Sequence, residues 1–172
     1  MNFPSTNILV KIKRLDNGLD LPLPKYETKS SVGMDLYAAV SEPVRIDACS
    51  SMVIPCGFAL EIPAGFEVQI RSRSGLAAKR KISVLNSPGT IDPDYRGEIC
   101  VILMNHMLVS DFKVERGDRI AQMVLCKAPY MELVKVDRLS DTDRGSGGFG
   151  STGVKPLARD PRTGERIRQK YD

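Results

Sequence analysis

The sequence has no tryptophan and only one histidine, His106, among its 172 residues. It has four cysteines, and no two of them form a CxxC pair. A protein zinc site usually needs several closely spaced Cys or His ligands, and a thiol nucleophile usually needs a histidine beside it. This scarcity disfavours zinc and thiol chemistry. Because apolar residues flank the cysteines, we predict buried thiols at Cys49, Cys56, Cys100 and Cys126.

Long apolar runs are also missing, since none approaches the ~20 residues of a membrane-spanning helix. The first residues, MNFPSTNILVKIKRL, do not combine a basic region, a long apolar stretch and a small-residue cleavage site. We therefore expect a soluble, cytoplasmic protein that does not bind membranes.

Positive charge is modest and unevenly distributed. The formal net charge is +4, and six basic residues against three acidic residues follow Gly153. The rest of the chain is nearly neutral, and Tyr171 is the one aromatic residue interleaved with that basic segment. We therefore expect no specific nucleic-acid binding.

Short apolar runs rich in β-branched residues recur between Gly and Pro residues, whereas helical periodicity is almost absent. A two-turn helix is predicted over residues 75–81, GLAAKRK. This pattern predicts an all-β fold, a jelly-roll-like β-barrel or sandwich with one short helix. The predicted strands cover residues 8–12, 44–46, 52–54, 58–62, 66–70, 82–85, 99–104, 112–114, 119–125 and 131–136.

The chain is long enough for one domain, which we place at residues 1–140. Residues 141–153, DTDRGSGGFGSTG, contain five glycines and are predicted to form a mobile tail. Residues 154–172 are charged and have few apolar side chains to bury, so we predict a disordered extension.

The densest polar cluster is residues 85–97, LNSPGTIDPDYRG. This stretch is longer than an ordinary hairpin loop, and loops on a rigid β scaffold often carry functional sites. Asp92 precedes Pro93, which favours an extended backbone, so its carboxylate is a candidate general base. A plain solvated hairpin is the alternative.

Three further segments have a functional and a structural interpretation. In residues 71–79, RSRSGLAAK, Arg and Ser side chains and helix-start N–H groups could bind phosphate, or simply form a solvated helix start. Asp35, within SSVGMDLYAA, is either a turn-capping acid or a metal-associated carboxylate. GDRIAQ, residues 117–122, indicates a tight turn before a strand and is more readily structural.

Residues 145–150, GSGGFG, match the G-x-G-x-x-G pattern of dinucleotide-binding folds. No predicted strand leads into the pattern and no helix follows, so we reject that interpretation. With Arg144 before it and Phe149 within it, the segment could instead contact a polyphosphate and a nucleobase. A plain flexible linker is the alternative.

Together these segments resemble the trimeric dUTPase family, whose five motifs occur in the family's order across residues 31–153. The matching strings are SVGMDLYAA, RSRSGLAAK, LNSPGTIDPDYRG, GDRIAQ and RGSGGFGSTG. The resemblance implies a jelly roll and a homotrimer with active sites shared between subunits. It also implies hydrolysis of the small molecule dUTP to dUMP and pyrophosphate with Mg²⁺. That reaction keeps uracil out of DNA and supplies dUMP for dTMP synthesis.

The resemblance assigns uracil recognition to the hairpin that contains Asn86, Gly89, Thr90 and Ile91. Its backbone and amide groups would imitate base pairing and leave no room for the thymine methyl group. Tyr95 would pack beneath the deoxyribose, where a ribose 2′-hydroxyl would clash.

The resemblance also assigns the chemistry. Asp92 would hold and deprotonate the water that attacks the α-phosphorus, and Asp35 would orient waters on a magnesium ion chelated by the phosphates. The resemblance assigns phosphate binding to Arg73, Ser74, Gly75 and Gln122.

The glycine-rich tail would close over the site of a neighbouring subunit. Arg144 would reach the γ-phosphate and Phe149 would stack on uracil. The tail residues Gly150, Ser151 and Thr152 would contact the substrate, the two hydroxyls by donating to phosphate oxygens.

Two rival functions remain to be distinguished. A dCTP deaminase shares the fold but releases ammonia, and Tyr95 and Phe149 fit the uracil hydrolase better. A catalytically silent nucleotide-binding jelly roll would not need Asp92, Asp35 and Arg144 together. Product analysis separates all three possibilities.

Overall fold

The computed structural model describes residues 7–149 and 162–163. The chain divides into two compact units, a first unit of residues 1–131 and a second unit of residues 132–172. Within the described residues, the first unit contains eleven strands and one α-helix. These are β1 Lys11–Arg14, β2 Met34–Tyr37, β3 Val44–Ile46, β4 Ser51–Pro55, β5 Phe58–Glu61, β6 Phe66–Arg71, α1 Ser74–Arg80, β7 Ile82–Val84, β8 Gly89–Ile91, β9 Cys100–Asn105, β10 Phe112–Val114 and β11 Arg119–Lys127.

In the described part of the chain, these strands form four antiparallel sheets. The largest has the order β2-β11-β6-β8, and a second has the order β4-β9-β7. Two-stranded sheets pair β1 with β5 and β10 with β3. The predicted all-β fold with one short helix is therefore confirmed.

Alternation along the strands explains why they form a core. In β9, CVILMN, every second side chain is buried, beginning with Val101 and Leu103. Successive side chains of a strand point to opposite faces, so one face of β9 packs inward. Burial of each large apolar side chain stabilises the fold by about 1.5–3 kcal/mol. The largest apolar side chains with almost no exposed surface are Leu36, Ile46, Ile54, Ile82, Ile99, Leu103 and Ile120.

Asn105, at the end of β9, is a fully buried polar residue with its hydrogen-bonding groups satisfied. Its Nδ2 donates to the carbonyl oxygens of Ile46, Asp47 and Ser110 at 3.1, 3.2 and 2.9 Å. Its Oδ1 accepts from the N–H of Met107 at 3.0 Å. One side chain thus replaces the missing backbone partners where β3, β9 and the loop before β10 meet.

The helix lies close to its predicted position, over Ser74–Arg80 instead of 75–81. Arg73 precedes it in an extended conformation, and Lys81 ends it in a left-handed conformation with φ of 56°. The Lys81 N–H donates to the Leu76 carbonyl, which satisfies one carbonyl of the last turn. No helix in the part of the chain that the structure describes is long and apolar enough to cross a membrane.

The strand predicted at residues 131–136 is wrong, because these residues adopt no strand in the structure. Met131, Leu133 and Val134 are 80%, 85% and 75% exposed. A strand needs a hydrogen-bonding partner, and the apolar pattern of this segment does not supply one within a single chain. In contrast, β2 and β8 form where no strand was predicted.

The prediction of buried thiols holds for Cys56 and is wrong for Cys49. Cys49 occupies a turn with φ of 54° and is exposed. Cys56 is buried, and this burial raises the pKa of its thiol. Cys100 and Cys126 are half-buried, and burial together with the nearby Glu98 raises the pKa of Cys100.

Candidate functional site

Two arginines contact the carboxylate of Asp35. Arg73 Nε donates to Asp35 Oδ1 at 2.8 Å, and Arg119 Nη1 donates to Asp35 Oδ2 at 3.1 Å. The Asp35 side chain is only 16% exposed, so both charged hydrogen bonds form in a partly desolvated place. The structure therefore brings together Asp35, predicted to associate with a metal, and Arg73, predicted to bind phosphate.

Strand register explains this cluster. Gln122 of β11 lies opposite Asp35 of β2 on one side and opposite Arg71 of β6 on the other. Opposed residues of antiparallel strands point to the same face of a sheet. Arg73 follows two residues after Arg71, at the junction of β6 and α1, so its guanidinium reaches the same sheet edge.

The Arg73 guanidinium contacts protein acceptors with two of its nitrogens. Its Nη1 donates to the Arg119 carbonyl oxygen at 2.9 Å, in addition to the Nε contact with Asp35. A guanidinium carries further N–H donors in a planar fork that matches phosphate oxygens. Arg73 can therefore keep both protein contacts and still bind an anion.

Gln122 connects three of the segments singled out in the sequence. Its Nε2 donates to the Ser72 carbonyl oxygen at 3.0 Å, and its Oε1 lies where a Cβ on Gly33 would overlap it. Ser72 Oγ in turn accepts from the Val84 N–H at 2.8 Å, just before the hairpin. The hydrogen bonds and the close approach of Gly33 fix the relative positions of the Asp35, Arg73 and hairpin segments.

Ser74 and Gly75, the first residues of α1, are both exposed. A Cβ built on Gly75 would meet nothing within 4 Å, so neighbouring protein atoms do not themselves require glycine. Open space beside this backbone leaves room for a ligand to approach closely. The phosphate contacts of Ser74 and Gly75 stay predictions.

Gly89, Thr90 and Ile91 form β8, which pairs with β6 at Ile70, Gln69 and Val68 respectively, whereas β7 pairs with β9. Residues 85–97, here called the hairpin, therefore connect two different sheets instead of two strands paired with each other. This register places the start of β8 beside the strand end that leads to Arg73. Gly89 is buried, and a Cβ there would lie 3.1 Å from Asn86 Nδ2. The absence of a side chain at position 89 therefore lets the amide of Asn86 fold over the hairpin. The Ser87–Pro88 peptide bond is cis.

Asp92 and Tyr95 follow β8 in one turn. Asp92 is exposed, and its backbone carbonyl oxygen accepts from the Tyr95 N–H at 3.2 Å. The Tyr95 hydroxyl donates to the Glu98 carbonyl oxygen at 3.0 Å, while 44% of the residue is exposed. Both residues are accessible to a ligand on the loop that leaves the hairpin.

Arg144 and Phe149 belong to the second unit. Arg144 Nε donates to the Gly147 carbonyl oxygen at 2.8 Å, and Phe149 is fully exposed with φ of 48°. Gly150, Ser151 and Thr152 lie outside the described residues. The assignment of these five residues to the substrate stays a prediction.

Sequence reasoning missed three residues that the structure connects to the site. Arg119 contacts Asp35, Gly33 makes room for Gln122, and Ser72 joins Gln122 to β7. Each lies inside a segment that was already singled out. Their roles depend on partners that the strand register brings from distant parts of the chain.

The fold and the site define an all-β protein in which a sheet edge presents arginine, glutamine and carboxylate groups beside an exposed hairpin loop. The dUTPase family model matches residues 20–153, and the chain belongs to the dUTPase family. Both the predicted family and the predicted fold class are thereby confirmed.

Similar proteins agree with this assignment. The chain is 54% identical over 152 residues to the deoxyuridine 5'-triphosphate nucleotidohydrolase of Maricaulis maris, covering 87% of this chain and 99% of that protein. It is 55% identical over 145 residues to the protein of the same name from Rickettsia bellii, covering 84% and 95% respectively. The dUTPase of Staphylococcus bacteriophage 80alpha, solved with dUpNHpp, has a TM-score of 0.76 at 26% identity and covers 85% of this chain and 99% of that chain.

Proposed function

We propose that this chain hydrolyses dUTP to dUMP and pyrophosphate by Mg²⁺-assisted attack of water on the α-phosphorus. The observation that carries the proposal is the cluster of Asp35, Arg73 and Gln122 beside the hairpin that ends in Asp92. The printed names of relatives about half identical to this chain support the same reaction. In a cell it would keep uracil out of DNA and supply dUMP for dTMP synthesis.

The phosphates bind at the junction of β6 and α1. Arg73 is held by Asp35 and the Arg119 carbonyl, so little reorganisation of its side chain is needed when an anion arrives. The exposed Ser74 hydroxyl and the open space beside Gly75 supply further access to phosphate oxygens. These donors stabilise negative charge that grows as the bond to pyrophosphate breaks.

Asp92 acts as the general base. Its exposed carboxylate accepts a proton from the attacking water as the new bond forms between oxygen and the α-phosphorus. The bond from the α-phosphorus to the oxygen that bridges the α- and β-phosphates then breaks. Its electron pair leaves with pyrophosphate, and dUMP retains the oxygen from water.

The residues at Asp35 fit an indirect role in magnesium binding. Both carboxylate oxygens already accept from arginines, yet each oxygen has a second lone-pair site that can accept from water. Asp35 would thus hold waters of the ion, whose direct ligands are substrate phosphates. When bound, Mg²⁺ supplies positive charge that neutralises the triphosphate.

The hairpin selects the nucleoside. The Asn86 amide and the backbone of Gly89, Thr90 and Ile91 present donors and acceptors to uracil beside β6. The phage 80alpha dUTPase solved with dUpNHpp supports a deoxyuridine nucleotide as the ligand class. Tyr95, on the same loop, packs beneath the deoxyribose.

The active assembly is a homotrimer, and two exposed apolar surfaces of the chain support self-association. Val53 and Leu85 both lie beside Ile102 of β9: Val53 pairs with it from β4, and the Leu85 N–H donates to its carbonyl oxygen. The two apolar residues are 57% and 53% exposed. Four exposed apolar side chains within residues 131–136 form a second such surface, namely Met131, Leu133, Val134 and Val136. Light scattering is expected to report the mass of three chains, and a mass of one chain contradicts the assembly.

The tail from Arg144 to Gly153 closes over the substrate of a neighbouring subunit. Phe149 has an exposed ring that can stack on uracil, and Arg144 carries the charge for the γ-phosphate. A chain ending before Arg144 is expected to remain a folded trimer with turnover reduced about 100-fold or more. A chain ending after Gly153 is the matched control and keeps its turnover. Unfolding or loss of the trimer in the shorter chain contradicts this role.

We also propose a cytoplasmic location for the enzyme. Its partner is dUTP, and neither a membrane nor a specific nucleic acid is required. Fractionation of the source cells tests the location. Preferential binding to one nucleic-acid sequence over others at physiological salt would contradict the absence of specific nucleic-acid binding.

The position of attack is tested by hydrolysis in ¹⁸O-labelled water. Mass spectrometry is expected to find the label in dUMP and none in pyrophosphate. Label in pyrophosphate would move the attack to the β-phosphorus and would remove Asp92 from its assigned position.

A further inference from the structure

The ring of Tyr95 lies directly against Gly97. A Cβ built on Gly97 would come within 2.6 Å of Tyr95 Cζ and 2.9 Å of Tyr95 Cε2, and it would also overlap the hydroxyl oxygen. Gly97 does not have the left-handed backbone that favours glycine. The Tyr95 side chain, not the backbone conformation, is therefore what excludes a side chain at position 97.

Glu98 fixes the other end of the ring through its backbone. The Tyr95 hydroxyl donates to the Glu98 carbonyl oxygen at 3.0 Å. The Glu98 carboxylate Oε1 accepts from the Gly57 N–H at 2.7 Å and from Asn17 Nδ2 at 2.8 Å. Glu98, which accepts from the Tyr95 hydroxyl, is thus itself hydrogen-bonded to the segments of the first unit that contain Gly57 and Asn17.

Those two segments pack tightly against each other. A Cβ on Gly18 would lie 2.7 Å from the Gly57 carbonyl carbon, so the backbones of the two segments are in direct contact. Asn17 and Gly18 belong to a 3-10 turn, and Gly57 connects β4 to β5. Close backbone packing makes this attachment point stiff. Glu98 therefore transmits a fixed position to the Tyr95 hydroxyl.

We propose that Gly97 and Glu98 are specificity-determining positioning residues that hold the Tyr95 ring where it excludes a ribose 2′-hydroxyl. The inference rests on the proposed function, in which Tyr95 packs beneath the deoxyribose. A 2′-hydroxyl adds one heavy atom to the sugar. If the Tyr95 ring moves away by about 1 Å, most of the steric clash with that hydroxyl is relieved. Discrimination against UTP therefore depends on the residues that prevent the ring from moving.

Gly97→Ala tests the contact with the ring. Because the overlapping atoms are the end of a side chain, the ring moves by about 1 Å to restore ordinary contact distances. The ratio of kcat/KM for UTP to that for dUTP is expected to rise about tenfold or more, the discrimination that one small group supports in a pocket. For dUTP, KM rises while kcat changes little.

Glu98→Ala and Glu98→Gln form a matched pair that tests the attachment. Alanine removes the acceptor for Asn17 Nδ2 and the Gly57 N–H, so the ratio for UTP over dUTP is expected to rise. Glutamine keeps an Oε1 acceptor at the same place, and the ratio is expected to stay at the wild-type value. This pair decides the matter even if Gly97→Ala does not fold.

A double-mutant cycle with Tyr95→Ala separates ring positioning from general disturbance of the loop. Once the ring is absent, Gly97→Ala is expected to leave the ratio unchanged. An equal rise in that background, or unchanged ratios in folded Gly97→Ala and Glu98→Ala, overturns this inference alone. A wild-type protein that does not split dUTP overturns the proposed function and this inference with it.

Discussion

Replacing Arg73 by lysine keeps the positive charge but removes the planar fork. In the structure that fork donates from Nε to Asp35 at 2.8 Å and from Nη1 to the Arg119 carbonyl at 2.9 Å. A lysine ammonium is a single point with a flexible stem, so it cannot hold both acceptors and a phosphate in one geometry. Arg73→Lys therefore tests whether preorganisation of the guanidinium, and not charge alone, serves the reaction.

The magnitude follows from the contacts that are lost. Loss of one preorganised donor to a developing charge typically costs about 3–4 kcal/mol in activation free energy, so kcat/KM for dUTP is expected to fall about 100-fold to 1,000-fold. The Arg73–Asp35 pair is 26% and 16% exposed, and lysine keeps a positive charge beside the Asp35 carboxylate, so the partly buried acid is not left without a counter-charge. The free energy of unfolding is expected to fall by only about 1 kcal/mol.

Steady-state release of pyrophosphate measures the first quantity, and urea unfolding measures the second. Arg45→Lys is the matched control, because Arg45 likewise contacts two acceptors, the carboxylates of Asp47 and Asp111, but its side chain is 71% exposed at β3. That variant is expected to keep both activity and stability. A value of kcat/KM for Arg73→Lys within a factor of about three of wild type would refute the preorganisation argument.

Three further outcomes are expected. Asp92→Asn should bind dUTP with little change in Kd but lose about 100-fold or more in kcat, because the amide cannot accept the proton of the attacking water. Near-normal single-turnover rates in this variant would exclude Asp92 as the base. Asn105→Ala should lower the free energy of unfolding, measured by urea denaturation, by about 2–4 kcal/mol, because it leaves buried backbone groups without partners. A loss below about 1 kcal/mol would contradict the structural role of the Asn105 side chain. An aromatic disulfide reagent should modify the exposed Cys49 first and Cys56 only on unfolding, because Cys56 is buried and burial raises the pKa of its thiol. Rapid labelling of Cys56 in the folded protein would contradict its buried position.

The sequence predicted most strands because their burial alternates or is continuous, and such patterns are visible without a partner. It missed β2 because Asp35 interrupts the apolar pattern of MDLY. It missed β8 because a strand of three residues is too short to show a period. It was wrong over 131–136 because apolar composition predicts burial without showing what covers the segment.

The site could be predicted only as a set of separate segments. Arg119 and Asp35 are 84 positions apart, and their contact depends on the pairing of β11 with β2 and on an irregularity in its register. Register is set by tertiary packing and cannot be read from either strand alone. The requirement for glycine at Gly97 likewise appears only when the Tyr95 ring is placed in space.

The most direct test of the central claim is to incubate the purified protein with Mg²⁺ and each deoxynucleoside triphosphate or UTP separately, and to identify the products by chromatography. Rapid formation of dUMP and pyrophosphate is expected from dUTP and from none of the others. Ammonia and a uracil nucleotide from dCTP would contradict it in favour of a deaminase, and no turnover of any substrate would contradict it in favour of a silent nucleotide-binding protein.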